Sequence, residues 1–209
     1  AIAKKHNLLI IEDAAEAIGA KYKGQHVGTF GEAATFSFFG NKTITTGEGG
    51  MVVTNDETLM DRAVHFKGQG LAKHRQYWHD VIGYNYRMTN ICAAIGLAQL
   101  EQIEYFISRK KIIAEKYLEA FKGTNLEFHS AHEDVCHSYW MCSILVEKPE
   151  EREMMRDFLA EKGIETSIPV GVQLMIGVAI LLALFLVPTI LEVKKSNELY
   201  LKRLDAHFE

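Results

Sequence analysis

The sequence predicts an α/β protein organised around a buried parallel strand, and three observations carry that reading. An unbroken apolar run, Leu8-Leu9-Ile10-Ile11, ends in Glu12 and Asp13 and gives way to small, helix-forming residues, the pattern of a parallel strand feeding a helix. An aromatic strand, Phe36-Ser37-Phe38-Phe39, runs into a turn rich in threonine and glycine. Residues 90–121 form a long helical stretch, rich in small residues and buried at first (Ala93, Ala94, Gly96, Ala98), then amphipathic through Ile103, Phe106, Ile107, Ile112, Ile113, Tyr117 and Phe121.

The remaining elements follow in chain order. Residues 1–6 read as the end of an interior helix with no starting Met, so the chain is expected to be a fragment. Residues 51–54 are a short strand, and residues 56–66 a helix that Asn55 or Asp56 can cap. Residues 68–79 are polar, aromatic and punctuated by glycine, hence a loop, and loops carry binding residues. Residues 138–146 alternate as a strand, residues 149–162 are a helix ended by Gly163, and residues 164–166 start another strand.

Composition bounds the possibilities. With 209 residues, 48% hydrophobic and 24% charged, the chain can bury one ordinary core and a small second unit. A net charge of -4 and a pI near 6.2 give no electrostatic case for nucleic acid. Three cysteines, Cys92, Cys136 and Cys142, with no CxxC pair suit a reducing cytoplasm. His129, His132, Cys136 and His137 cluster, but their spacing matches no familiar zinc pattern, and no metal site is assigned.

Lys42 is the residue around which chemistry is expected. It lies between the aromatic strand and the turn Thr45-Thr46-Gly47-Glu48-Gly49-Gly50, the housing of a Schiff-base lysine. A lysine amine is nucleophilic only when deprotonated, and apolar walls or a neighbouring cation favour that form. Phe36, Phe38 and Phe39 are candidate walls, and the Ser37 hydroxyl with the turn amides is a candidate anion holder. Ligands of open α/β sheets bind at the carboxyl ends of strands, which is where Asp13 and Glu16 fall. A carboxylate there can keep a pyridinium nitrogen protonated, so that a pyridoxal ring acts as an electron sink. The competing role for Asp13 is a helix cap.

These motifs, in order, carry a family resemblance. Ile11-Glu12-Asp13-Ala14-Ala15-Glu16-Ala17, then Gly28-Thr29-Phe30-Gly31, the run 37–50, and Gly83-Tyr84-Asn85-Tyr86-Arg87-Met88 resemble the DegT/DnrJ/EryC1/StrS sugar aminotransferases, over residues 1 to about 166. The resemblance implies part of a fold-type I aminotransferase dependent on pyridoxal 5'-phosphate (PLP). Residues 1–122 would be the later part of the large PLP-binding domain with its linking helix, and residues 123–166 the opening of the small α/β domain.

The same resemblance implies roles. Lys42 matches the lysine that bonds the cofactor, Asp13 the partner of the ring nitrogen, Glu16 the residue beside the ring hydroxyl and Ser37 the serine on the phosphate. Asn85 matches an asparagine that reaches the phosphate in the neighbouring subunit, so a homodimer is implied. Related dehydratases carry histidine in place of the lysine, so Lys42 favours amino transfer from glutamate to a 4-keto nucleotide sugar. Residues 66–70 and 74–79 narrow the expectation to a GDP-linked 4-keto-6-deoxy-mannose of O-antigen synthesis.

Residues 167–209 depart from the family pattern. No charge interrupts residues 171–191, and residues 174–191 are long enough, at about 1.5 Å per residue, to cross most of a bilayer core of about 30 Å. A transmembrane helix is expected there, with a buried helix as the competing reading. Lys194, Lys195, Lys202 and Arg203 form a basic flank. Two functions therefore stand side by side. One is a cytoplasmic, PLP-dependent sugar aminotransferase; the other is a noncatalytic, membrane-tethered remnant of such an enzyme.

Overall fold

The computed structural model describes residues 2–129 and 131–167. They fall into two units, the first running through Glu147 and the second opening at Lys148. The first unit holds helix α1 (Ile2–Lys5), strands β1 (Ile11–Asp13), β2 (Lys21–Tyr22), β3 (Gln25–His26), β4 (Ala33–Ser37) and β5 (Gly50–Thr54), then helices α2 (Glu57–Lys67), α3 (Asn90–Leu100) and α4 (Ile103–Phe121). Strands β6 (Glu127–Phe128), β7 (Val135–Cys136) and β8 (Ile144–Leu145) complete it.

The main sheet has the order β1-β4-β5. β1 runs parallel to β4, as its apolar run implies, with Ile11 opposite Ala33 and Asp13 opposite Thr35. β5 returns antiparallel and pairs Gly50 with Ser37. The central strand β4 is the buried one, with Ala33 and Ala34 at its start and Phe38 just beyond its end. Phe36 needs room from the preceding turn: a Cβ on Gly28 (φ +93°) would lie 2.6 Å from the Phe36 ring. Two smaller sheets, β3-β2-β7 and β6-β8, lie outside this one.

Several expected elements differ. The run before β1 is not buried: Leu8, Leu9, Ile10 and Ile11 are 58%, 78%, 43% and 72% exposed, because β1 is an edge strand among the described residues. No helix follows Asp13. The Ala15 N–H donates to Asp13 Oδ1 at 3.1 Å, and the chain continues in turns closed by Ala17 to Ala14 and Ala20 to Ala17. A local side-chain acceptor of this kind competes with helix initiation. Asp13 is thus not a helix cap.

The long helical stretch is two helices. Gln102 (φ −109°, ψ 13°) breaks it, and its side-chain amide donates to the Ala98 carbonyl at the end of α3. Gln99 turns away to bond both backbone groups of Thr45. Ala93, Ala94 and Ala98 of α3 are exposed rather than buried, while the half-buried Gly96 answers a close approach: a Cβ there would lie 2.8 Å from Thr46 Cγ2. In α4, Ile107 and Ala114 supply the buried face.

The strand expected over 138–146 shrinks to β8, since Tyr139 sits at φ +51° and a left-handed residue cannot continue a strand. No strand forms at 164–166. Asp56 caps α2 by accepting the Leu59 N–H. Within the described part of the second unit, helix α5 (Pro149–Glu161) starts on proline and closes with bonds from Gly163 to Ala160 and Ile164 to Leu159. Among the described residues no helix is long and apolar enough to cross a membrane, and residues 174–191 lie outside them.

Candidate active site

The parallel pair β1 and β4 brings two of the candidate residues to one end of the sheet. Asp13 closes β1 and Ser37 closes β4, so both stand at carboxyl ends of adjacent parallel strands. Beyond Ser37 the chain makes a tight excursion. Phe38 donates to Gly49 O at 2.9 Å and receives the Thr46 N–H at 2.9 Å and the Thr45 hydroxyl at 3.0 Å on its carbonyl. Lys42 rides on this excursion, its N–H bonded to Phe39 O at 3.0 Å. The Ser37 hydroxyl accepts the Phe39 N–H at 3.3 Å.

Lys42 Nζ donates to Glu16 Oε1 at 3.2 Å. The lysine side chain is 12% exposed although its partner is 58% exposed, so the amine is sheltered on a side other than the carboxylate's. That shelter is Trp140, whose ring centroid lies 3.9 Å from Nζ. The charged neighbour of Lys42 is thus a carboxylate. Lys42 and Glu16 are brought into contact, and Asp13 and Ser37 lie on neighbouring strands. Asn85 is exposed on the loop that pairs it with Gly68, and no hydrogen bond or ion pair joins it to the other four.

Two residues escaped sequence reasoning. Trp140 is distant in the chain, and nothing in its surroundings marks it. Glu12 was legible only as part of the acidic strand end, yet it is a structural anchor. Its Oε2 accepts the Gly28 N–H at 2.8 Å, and its Oε1 accepts those of Phe30 and Gly31 at 2.6 and 2.7 Å. Burial pushes its carboxyl up, but the three N–H bonds outweigh this and hold it below the ordinary value. The carboxylate's stabilising effect is therefore complete above the unfolded-state value and lost as pH falls through the folded one. Glu12→Gln is expected to cost about 1–3 kcal/mol at pH 7. Urea unfolding at pH 7 and pH 4 checks this, with the variant's loss between the two smaller than the wild type's.

The histidine cluster is an aromatic stack. His129 lies 4.6 Å from the Phe128 ring and 5.1 Å from the His137 ring, and His137 lies 4.5 Å from Tyr139. Burial, and then the neighbouring His129, push His137 down. Among the described residues no three His, Cys, Asp or Glu side chains converge as metal ligands.

Residues 1–173 match the model of the DegT/DnrJ/EryC1/StrS aminotransferase family. The chain belongs to that family. Among its curated relatives is the GDP-perosamine synthase of Escherichia coli O157:H7, 68% identical over 165 residues, which cover 79% of this chain and 45% of that protein. The Vibrio cholerae GDP-perosamine synthase is 48% identical over 78% of this chain and 45% of its own length. This family member therefore spans about half the length of the curated relatives it matches. Among solved structures, the Spr1654 protein of Streptococcus pneumoniae, described as a sugar aminotransferase and solved in its PLP form, superimposes with a TM-score of 0.73 at 29% identity. That match covers 80% of this chain and 45% of the other. A DegT/DnrJ/EryC1/StrS aminotransferase from Brucella abortus gives 0.72 at 32% identity, covering 80% and 44%.

Proposed function

We propose that this chain is the lysine-bearing part of a PLP-dependent nucleotide-sugar aminotransferase. The whole protein would convert GDP-4-dehydro-6-deoxy-mannose to GDP-perosamine with glutamate as amino donor, in O-antigen synthesis. The observation that carries this is the sheltered amine of Lys42 beside the carboxyl ends of β1 and β4, in a chain 68% identical to a GDP-perosamine synthase. The donor set suits the cofactor. A carboxylate that takes one backbone bond (Asp13), a half-buried hydroxyl (Ser37) and an amine with a carboxylate partner (Lys42) answer a pyridine nitrogen, a phosphate and an aldehyde.

When bound, PLP supplies the electron sink that amino transfer requires. Asp13 holds a proton at the ring nitrogen, since a carboxylate stabilises the positive charge there. Ser37 Oγ orients the phosphate. Glu16 Oε1, 3.2 Å from Lys42 Nζ, would take a proton from it or return it, and by the family resemblance would be the residue beside the ring hydroxyl. Lys42 Nζ is the attachment point and the group that carries a proton to and from the substrate carbon. In this reading residues 1–122 belong to the large domain and residues 123–166 open the small one, in the reducing cytoplasm that three unpaired thiols suit.

The reading includes a homodimer in which Asn85 serves the partner's site. It is supported by the exposure of Asn85 and by the apolar side chains Ile91, Ile95 and Leu97 that α3 leaves uncovered. In protein extended to the relatives' length, mixing a Lys42→Ala chain with an Asn85→Ala chain is expected to regenerate part of the activity, because one of the two shared sites then has both residues. No regain in a mixture shown to exchange subunits places Asn85 in its own chain's site. The overall reading is tested by incubating the extended protein with glutamate and the keto sugar nucleotide. Formation of the 4-amino sugar upholds it, and dehydration without amino transfer overturns it.

A further inference from the structure

We propose that Trp140 is the positioning residue for the Lys42 amine; this rests on the reading of Lys42 as the reactive group. The indole does two things with one ring. Its Nε1–H donates to the Asn41 carbonyl at 2.9 Å, gripping the residue immediately before the lysine, while its face covers Lys42 Nζ at 3.9 Å. The Trp140 backbone is itself tied to α4, through the Lys110 Nζ that donates to its carbonyl at 3.3 Å.

The neighbouring backbone explains how the ring reaches the site. Tyr139, at φ +51°, turns the chain so that two consecutive aromatic side chains part. Tyr139 joins the rings of His129 and His137, and Trp140 goes to the lysine turn. Nζ is thus held between a ring face and the Glu16 carboxylate. A lysine stem loses much rotamer freedom when fixed, and a cation held over an indole is a contact that offsets the loss. A fixed amine approaches a carbonyl carbon from one direction, whereas a free one samples many. Trp140 would thereby set the direction from which Nζ approaches, itself neither making a bond nor carrying a proton.

Competitive labelling of the full 209-residue chain with acetic anhydride, in the absence of cofactor, tests this. Peptide mass spectrometry compares the rate at Lys42 with those at Lys73 and Lys116. A held side chain reacts through its released state, so W140A is expected to speed labelling of Lys42 by about 2- to 30-fold. The two reference lysines keep their wild-type rates. W140F, which keeps a ring face but lacks the N–H for Asn41, should fall between wild type and W140A. A wild-type rate at Lys42 in W140A overturns the proposal. Should W140A speed every lysine alike by unfolding, W140F decides: a faster Lys42 with unmoved references upholds it, and a wild-type rate at Lys42 overturns it. The measurement needs neither cofactor nor sugar. Absence of amino transfer in the extended protein, with this labelling order intact, therefore sinks only the reading of the reaction.

Discussion

Lys42→Ala, made in protein extended to the relatives' length, is expected to lower amino transfer by at least about 10⁴-fold while leaving the fold intact. That size follows from the two roles proposed for one atom: a positioned proton carrier alone contributes about 10²- to 10⁴-fold, and the same amine would be the covalent attachment point. The fold should survive because Nζ makes only one ion pair, to a partner that is 58% exposed, and one ring contact. The backbone of the turn is held by Phe38, Thr45, Thr46 and Gly49 and does not depend on the lysine side chain. Borohydride reduction followed by peptide mapping is the check. Cofactor still fixed to the variant protein would show that another lysine is the attachment point.

Asp13→Asn is expected to leave the cofactor bound and to lower turnover by about 10²- to 10⁴-fold, since a neutral amide no longer holds a proton at the ring nitrogen. The local structure makes this substitution clean. Asn keeps a side-chain oxygen for the Ala15 N–H that Asp13 Oδ1 now accepts. No helix begins there, so no cap is lost. Turnover numbers measured with saturating glutamate and sugar nucleotide, alongside the cofactor's absorbance, decide it. Near-normal turnover would reduce Asp13 to a turn residue.

What could be read from residue order was what local chemistry writes. The parallel strand at Ile11, the Asp56 cap, the proline start and Gly163 end of α5, and the position of Lys42 after an aromatic strand each depend on a few neighbouring residues. What could not be read depends on distant partners. Gln99 bends to Thr45, Trp140 crosses to Asn41, and the apolar face of α3 is exposed in spite of its composition. The helix expected after Asp13 failed for a subtler reason. Its residues have helical propensity, but the Asp13 oxygen offered the Ala15 N–H a nearer acceptor.

Glu12 and Asp13 are adjacent on β1, so their side chains leave the strand on opposite faces. The first is tied by three N–H groups of the 28–31 turn, and the second stands at the site end of the sheet. A slip of β1 by one residue along β4 would carry Glu12 into the place of Asp13 and Ile11 into the place of Glu12. The longer carboxylate would then enter the site, an apolar side chain would face the 28–31 turn, and three donors would be stranded together. The pairing of Asp13 with Thr35 is thus guarded from the opposite face of the strand: the carboxylate that locks β1 to the turn fixes the register that aims its neighbour.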